Sequence, residues 1–94
     1  MKVHLRIEGL APLYKLLNKK KEMDFEFNGS TLRDFTNGLI RKYGPGVGKA
    51  LLDQKGEIDM ELRVVVNFRD YLSYGHRMDT PLHEGDTLHL MTVG

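Results

Sequence analysis

Four histidines, His4, His76, His83 and His89, are the residues of this 94-residue chain best suited to hold a metal or to move a proton near neutral pH. A metal centre needs three or four convergent ligands, and no such set is evident. His4 and His89 fall on the polar side of two alternating segments and would be neighbours if those segments pair. They read as surface histidines, and His76 and His83 as loop residues. The chain has no cysteine, which excludes disulfides, thiolate metal sites, iron–sulfur clusters and cysteine nucleophiles. Gly44-Pro45-Gly46-Val47-Gly48-Lys49 has the residue types of a phosphate loop. It lacks the G-x-x-x-x-G-K-[S/T] spacing, and it follows a helical pattern where a strand is required. Leu62–Asn67 carries no aromatic residue, so stacking of RNA bases there has no support. Asp53, Glu57, Asp59 and Glu61 form an acidic run that reads as solvated surface or as a meeting place for a basic partner.

The elements that must position these residues follow from periodicity. Val3, Leu5 and Ile7 alternate with Lys2, His4, Arg6 and Glu8, the period-two pattern of a half-buried strand. Met23, Phe25 and Phe27 repeat it over Glu22–Phe27, and Asn28-Gly29 closes that strand as a turn. Between the two strands, Leu13, Leu16 and Leu17 have the spacing of a short helical turn, and Lys19-Lys20-Lys21 reads as a solvated loop tip. Leu32–Tyr43 is the clearest helix. Thr31 is its N-cap, Asp34 stands at the third helical position, and Leu32, Phe35, Leu39 and Tyr43 form its apolar stripe. Gly44 and Pro45 end it. Gly38 inside the helix either permits close approach to the sheet or is a tolerated weakness.

Val47–Leu52 predicts a second, shorter helix, and Gln54-Lys55-Gly56 a turn. Leu62–Asn67 is a strand with Leu62, Val64 and Val66 inward. A turn at Asn67-Phe68-Arg69 leads to a short strand near Asp70–Leu72, and Ser73–Asp79 is a loop. Glu84-Gly85-Asp86 is a tight turn before the last strand, Thr87–Val93, with Leu88 and Leu90 inward. One helical stripe covering one apolar sheet face makes a single two-layer α+β domain spanning residues 1–94.

Composition agrees, with 40% hydrophobic, 29% charged and 9% aromatic residues, an ordinary globular mix. The net charge of +1 is too balanced for a general binder of nucleic acid or membrane surfaces. It is unevenly spread: residues 1–43 carry 9 basic and 5 acidic groups, and residues 44–94 carry 5 and 8. No apolar run approaches the ~18 residues of a membrane span, and MKVHLRIEGL has no signal-peptide core. The expected location is the cytoplasm, with neither nucleic acid nor membrane as a partner.

The C-terminal third carries a resemblance. Val64-Val65-Val66-Asn67 followed by Arg69-Asp70, then Asp79-Thr80-Pro81-Leu82-His83-Glu84-Gly85-Asp86, resembles the MoaD/ThiS family of sulfur carriers. Ser30-Thr31-Leu32-Arg33-Asp34-Phe35 is similar to that family's helix opening, and Gly44–Leu52 to its second helix. The resemblance implies a ubiquitin-like β-grasp: a mixed four- to five-stranded sheet, first and last strands parallel in its middle, one main helix on one face. It implies a carrier and not an autonomous enzyme. An E1-like partner would use ATP to adenylate Gly94, sulfur would replace an oxygen to give a thiocarboxylate, and a synthase subunit would accept the sulfur for molybdopterin, thiazole or another product. No cofactor would be bound by the chain itself. Glycine suits this role because it lacks a Cβ and can thread a narrow channel.

Two features depart from that family. The chain closes Thr92-Val93-Gly94 where the family closes Gly-Gly, and the tail is about three residues shorter, roughly 10 Å of extended reach. Either the last strand ends early and releases its final residues, or the coding chain is longer, or this is a relative without the carrier chemistry. The second departure is Phe68, where the family favours a small residue. Val65, Met91 and Val93 lie on the sheet face away from the helix, with Phe68 close by. Together with Thr92 they form the expected partner-binding surface, since exposed apolar groups on a polar face suggest docking.

Overall fold

Alternation in the first seven-residue strand buries Val3, Leu5 and Ile7 and leaves Lys2, His4, Arg6 and Glu8 on the opposite face. The structure, a computed structural model, describes residues 1–71 and 77–92. Its elements are β1 (Lys2–Glu8), α1 (Ala11–Leu16), β2 (Glu22–Glu26), α2 (Leu32–Tyr43), α3 (Pro45–Leu51), β3 (Leu62–Val66), β4 (Asp70–Tyr71), a 3-10 turn (Arg77–Asp79) and β5 (Thr87–Thr92). The five described strands form one sheet in the order β2-β1-β5-β3-β4. β1 and β5 run parallel at its centre, Leu5 beside Leu88 and Ile7 beside Leu90; the other pairings are antiparallel. This is the mixed sheet of a β-grasp, with α2 as its principal helix.

The helix opens as its residues dictate. The Thr31 hydroxyl accepts the Asp34 N–H at 3.2 Å, and the Asp34 carboxylate accepts the N–H groups of Ser30 and Thr31 at 2.9 and 3.2 Å. A full capping box thus forms with Asp in place of the usual Glu. Those bonds, the Ser30 N–H first, hold the Asp34 carboxyl below its ordinary range. Gly44, at φ 99°, ends α2 in a conformation that suits glycine, and Pro45 then starts α3. Leu32, Phe35 and Leu39 from α2 meet Val47 and Leu51 from α3 and Leu13 and Leu17 from the α1 segment in one core beneath the sheet.

Gly38 answers the question its position raises. A Cβ built there would lie 2.9 Å from the Phe27 Cβ and 3.2 Å from the Phe25 ring. The glycine is therefore what lets α2 sit against the end of β2.

Three sequence expectations need correction. α3 begins at Pro45, two residues earlier than periodicity gave, because proline is pre-set for a first helical turn. The segment read as a loop before Thr80 contains the 3-10 turn, and within it Arg77 is only 3% exposed. Its guanidinium donates to the carbonyls of Ile58, Asp59 and Leu62, fixing the irregular 53–61 stretch against the start of β3. His4 and His89 are not direct neighbours: the parallel register sets His4 beside Thr87 and Arg6 beside His89. The ends of the fourth and fifth expected strands, Leu72 and Val93, lie outside the described residues, as do Ser73 and His76.

Candidate functional site

The sheet face away from α2 is open. Across it, β1 contributes His4, Arg6 and Glu8, β5 contributes His89 and Met91, and β3 contributes Arg63 and Val65. Val65 stands opposite His89 and diagonal to Met91. Both apolar residues are half-buried, not fully exposed as alternation alone implies. Phe68 is different. It is 62% exposed and sits in the β3–β4 turn, where the Arg69 N–H bonds to the Val66 carbonyl at 3.2 Å. Asn67 and Phe68 have φ of 54° and 64°. Asn tolerates that left-handed region, whereas a bulky aromatic rarely occupies it. The Arg6 guanidinium lies 5.5 Å from the centre of the Phe68 ring, a cation–π distance. Val65 and Met91 are thus half-buried apolar residues among the charged groups of the open face, and Phe68 adds an exposed ring in the adjoining β3–β4 turn.

Thr92 belongs elsewhere. It pairs with Leu62 at the last rung of β3 and β5, and its hydroxyl approaches Gly9 so closely that a Cβ there would lie 2.6 Å away. Thr92 lines a shallow recess with Met60, Glu61 and Leu62. Met60 is 69% exposed, more than any other described large apolar residue. Sequence reading passed over it, although a lone methionine between Asp59 and Glu61 was a visible signal. Val93 and Gly94 lie outside the described residues.

Charged groups on the open face are arranged in pairs. His4 Nδ1 lies 2.9 Å from an Asp24 carboxylate oxygen and Nε2 3.1 Å from one of Glu22. Bonding to Asp24, then to Glu22, raises the His4 pKa above its ordinary value. The same contact with His4, aided by the Arg6 charge, lowers that of Glu22. His89 Nε2 is 3.8 Å from Glu8. His83 is a largely exposed loop residue. Among the described residues no group of three or more His, Asp or Glu side chains could hold a metal ion, and no helix is long and apolar enough to cross a membrane.

The motifs quoted from the sequence prove to be two interlocked units. Asn67 donates to Asp86 at 3.0 Å and accepts the Thr87 N–H at 2.9 Å, while Asp86 also accepts the His83 N–H at 2.9 Å. The Leu32 N–H bonds to the Thr80 carbonyl and the Leu82 N–H to the Ser30 carbonyl, at 3.0 and 2.7 Å. The helix opening, the end of β3 and the segment that leads into the last strand are thus tied down by these bonds.

These features define a ubiquitin-like β-grasp protein. No protein-family model matches the chain, and no curated protein sequence does. Solved structures do match in shape. A chain of the Amycolatopsis orientalis BexX/CysO complex superposes with a TM-score of 0.78 at 17% identity, covering 98% of this chain and 96% of that one. SAMP1 from Haloferax volcanii gives 0.73 at 16% identity, covering 100% and 97%. A protein assigned as molybdopterin converting factor, subunit 1, from Pyrococcus furiosus gives 0.66 at 20% identity, covering 100% and 99%.

Proposed function

We propose that this chain is a protein-borne sulfur carrier with Gly94 as its attachment site. The Gly94 carboxylate attacks the α-phosphorus of ATP on an E1-like enzyme and displaces pyrophosphate. A hydrosulfide equivalent then displaces AMP from the acyl adenylate, leaving a thiocarboxylate. A synthase subunit accepts that sulfur for molybdopterin, thiazole or a related product, in the cytoplasm. The chain is the co-substrate throughout, and the catalytic groups belong to its partners. The observation that carries this reading is the two-strand centre: β5 runs parallel to β1 and its last described residue, Thr92, precedes Val93 and Gly94 in the sequence. The apolar residues Val65, Phe68 and Met91 supply a surface for the activating enzyme. Likeness in shape to a chain of the BexX/CysO complex supports a small protein that works in complex with another.

Intact mass after co-expression with an E1-like enzyme and a sulfur donor tests the reading. The expected result is a gain equal to one oxygen-to-sulfur exchange, abolished by deleting Gly94 while the fold persists, since a terminal residue contributes little packing. A chain with an authentic C-terminus that binds the enzyme and never gains that mass is a β-grasp binding module instead. Likeness to SAMP1, a small archaeal modifier protein, favours a second reading, a ubiquitin-like tag joined through Gly94 to lysine. Isopeptide-linked conjugates in cells would be its mark.

A further inference from the structure

At the β2 edge of the sheet, backbone groups face outward. Met1 and Phe27 exchange main-chain bonds at 2.9 Å in both directions, and the Ile7 N–H bonds to the Lys21 carbonyl at 2.9 Å. The antiparallel register between these two points pairs Val3 with Phe25 and Leu5 with Met23. Residues 21, 23, 25 and 27 therefore turn their polar backbone toward β1. Glu22, Asp24 and Glu26 turn theirs the other way, where no described strand pairs with them. Their side chains stand on the open face. On the helix side of the same edge, Phe25, Phe27, Gly38, Arg41 and Lys42 line a groove between β2 and α2. The Lys42 ammonium lies over the Phe25 and Tyr43 rings at 5.8 and 5.5 Å.

We propose that this edge accepts an extended segment of a partner protein as an added strand, with basic residues at alternate positions. Backbone N–H and C=O groups of Glu22, Asp24 and Glu26 would complete the ladder. The incoming residues on the open face would oppose those three carboxylates, so lysine or arginine fits there. The intervening residues would face the groove, where apolar side chains meet the phenylalanines and an acidic one meets Arg41 or Lys42. A second copy of this chain fits poorly, because pairing β2 with itself sets carboxylates against carboxylates; charged edges of this kind disfavour self-association. The proposal is independent of the carrier reading and does not involve Gly94.

The probe is an acetylated, amidated peptide of sequence Lys-Val-Lys-Val-Lys-Glu-Lys, which puts the lysines on one face and the valines and the glutamate on the other, with its charge-reversed counterpart as control. Amide hydrogen exchange is followed by NMR on the full-length chain. Without peptide, the amides of Asp24 and Glu26 exchange faster than those of Met23 and Phe25. With the basic peptide they slow by about tenfold or more, with the charge-reversed one they do not. Asp24→Pro removes an outward N–H and the carboxylate that meets His4 but no main-chain bond to β1, as edge strands tolerate, and should abolish the protection, whereas Asp24→Asn, which lacks the carboxylate and keeps the N–H, should retain part of it. Protection of the unaltered chain is read directly, so the result stands even where the proline variant fails to fold. Deleting Gly94 should change nothing here, which separates this test from that of the carrier. The proposal is overturned if protection falls elsewhere on the surface, if Asp24→Pro binds the peptide as well as the parent, or if protection grows with protein concentration alone.

Discussion

The Asn67 side chain bridges to Asp86, donating at 3.0 Å while its own oxygen accepts the Thr87 N–H at 2.9 Å. One residue thereby closes the β3–β4 turn and fixes the start of β5. Asn67 also holds a φ of 54°, which asparagine adopts more readily than other side chains. Asn67→Ala removes both bonds and leaves a Cβ in the left-handed region. The expected cost is about 1–2 kcal/mol, read as a lower urea midpoint with unchanged slope. Asn67→Gly keeps the backbone conformation without the bonds, so it should cost less than alanine. Equal losses for both would mean that the conformation contributes nothing.

Phe68, the next residue, is an aromatic at φ 64° with most of its surface in water. Such a residue sits at a local conformational cost, which the docking role proposed above would account for. Phe68→Gly relieves about 1 kcal/mol of backbone strain and loses an exposed cation–π contact with Arg6 worth roughly 0.5–1 kcal/mol. Stability should stay level or rise slightly. Binding to the E1-like enzyme of the proposed function should weaken by about tenfold or more if the ring is an anchor. Calorimetric titration beside a melting curve separates the two effects, and undiminished binding would remove Phe68 from the docking surface.

Much of this architecture was legible because its signals are local. Val3, Leu5 and Ile7 declare a strand by alternation, and Thr31 with Asp34 declares a helix start by spacing. The pairing of Asn67 with Asp86, nineteen residues apart, showed in the sequence only as two motifs in a fixed order. Arg77 was invisible for a physical reason. An arginine in a loop reads as solvated, and only the tertiary fold brings the carbonyls of Ile58, Asp59 and Leu62 around it. The candidate site was partly legible. Periodicity put Val65 and Met91 on the open face, but alternation does not tell that both are half-buried there. Thr92 was grouped with them by proximity in sequence, whereas its register with Leu62 sets it at the start of β3, beside Met60.

Gly38 offers a test in which the usual sign reverses. Alanine in a helix interior is normally better than glycine by about 1 kcal/mol. At this position its Cβ would lie 2.9 Å from the Phe27 Cβ, so either α2 or β2 must move. Overpacking of that kind costs about 1–3 kcal/mol. Gly38→Ala should therefore lower stability, and Asn37→Ala, one residue away on the exposed side of the same helix, should raise it slightly. Chemical denaturation of both variants gives the comparison. A stabilised Gly38→Ala protein would show that the helix does not rest on the β2 end.

His4 makes stability depend on pH in a direction that the geometry fixes. Its ring lies between Asp24 and Glu22, and bonding to them raises its pKa above the ordinary 6.5. A group whose folded pKa is raised contributes its full stabilisation below the unfolded value and loses it as pH climbs through the folded one. Glu22 acts oppositely. Its pKa is lowered from 4.5, so its share is present above that value and disappears as pH falls through the folded one. Both are present together between the two unfolded values, and the histidine share fades on the alkaline side of 6.5. The residues are largely exposed, so the effect is modest and screened by salt. The melting temperature of the parent minus that of His4→Gln should be greatest near pH 5.5–6 and shrink toward pH 8.5, with high salt flattening the curve. An imidazole proton titration by NMR should give a midpoint above 6.5 in the parent and a lower one in Asp24→Asn. A midpoint unmoved by Asp24→Asn would show that this carboxylate does not hold the ring.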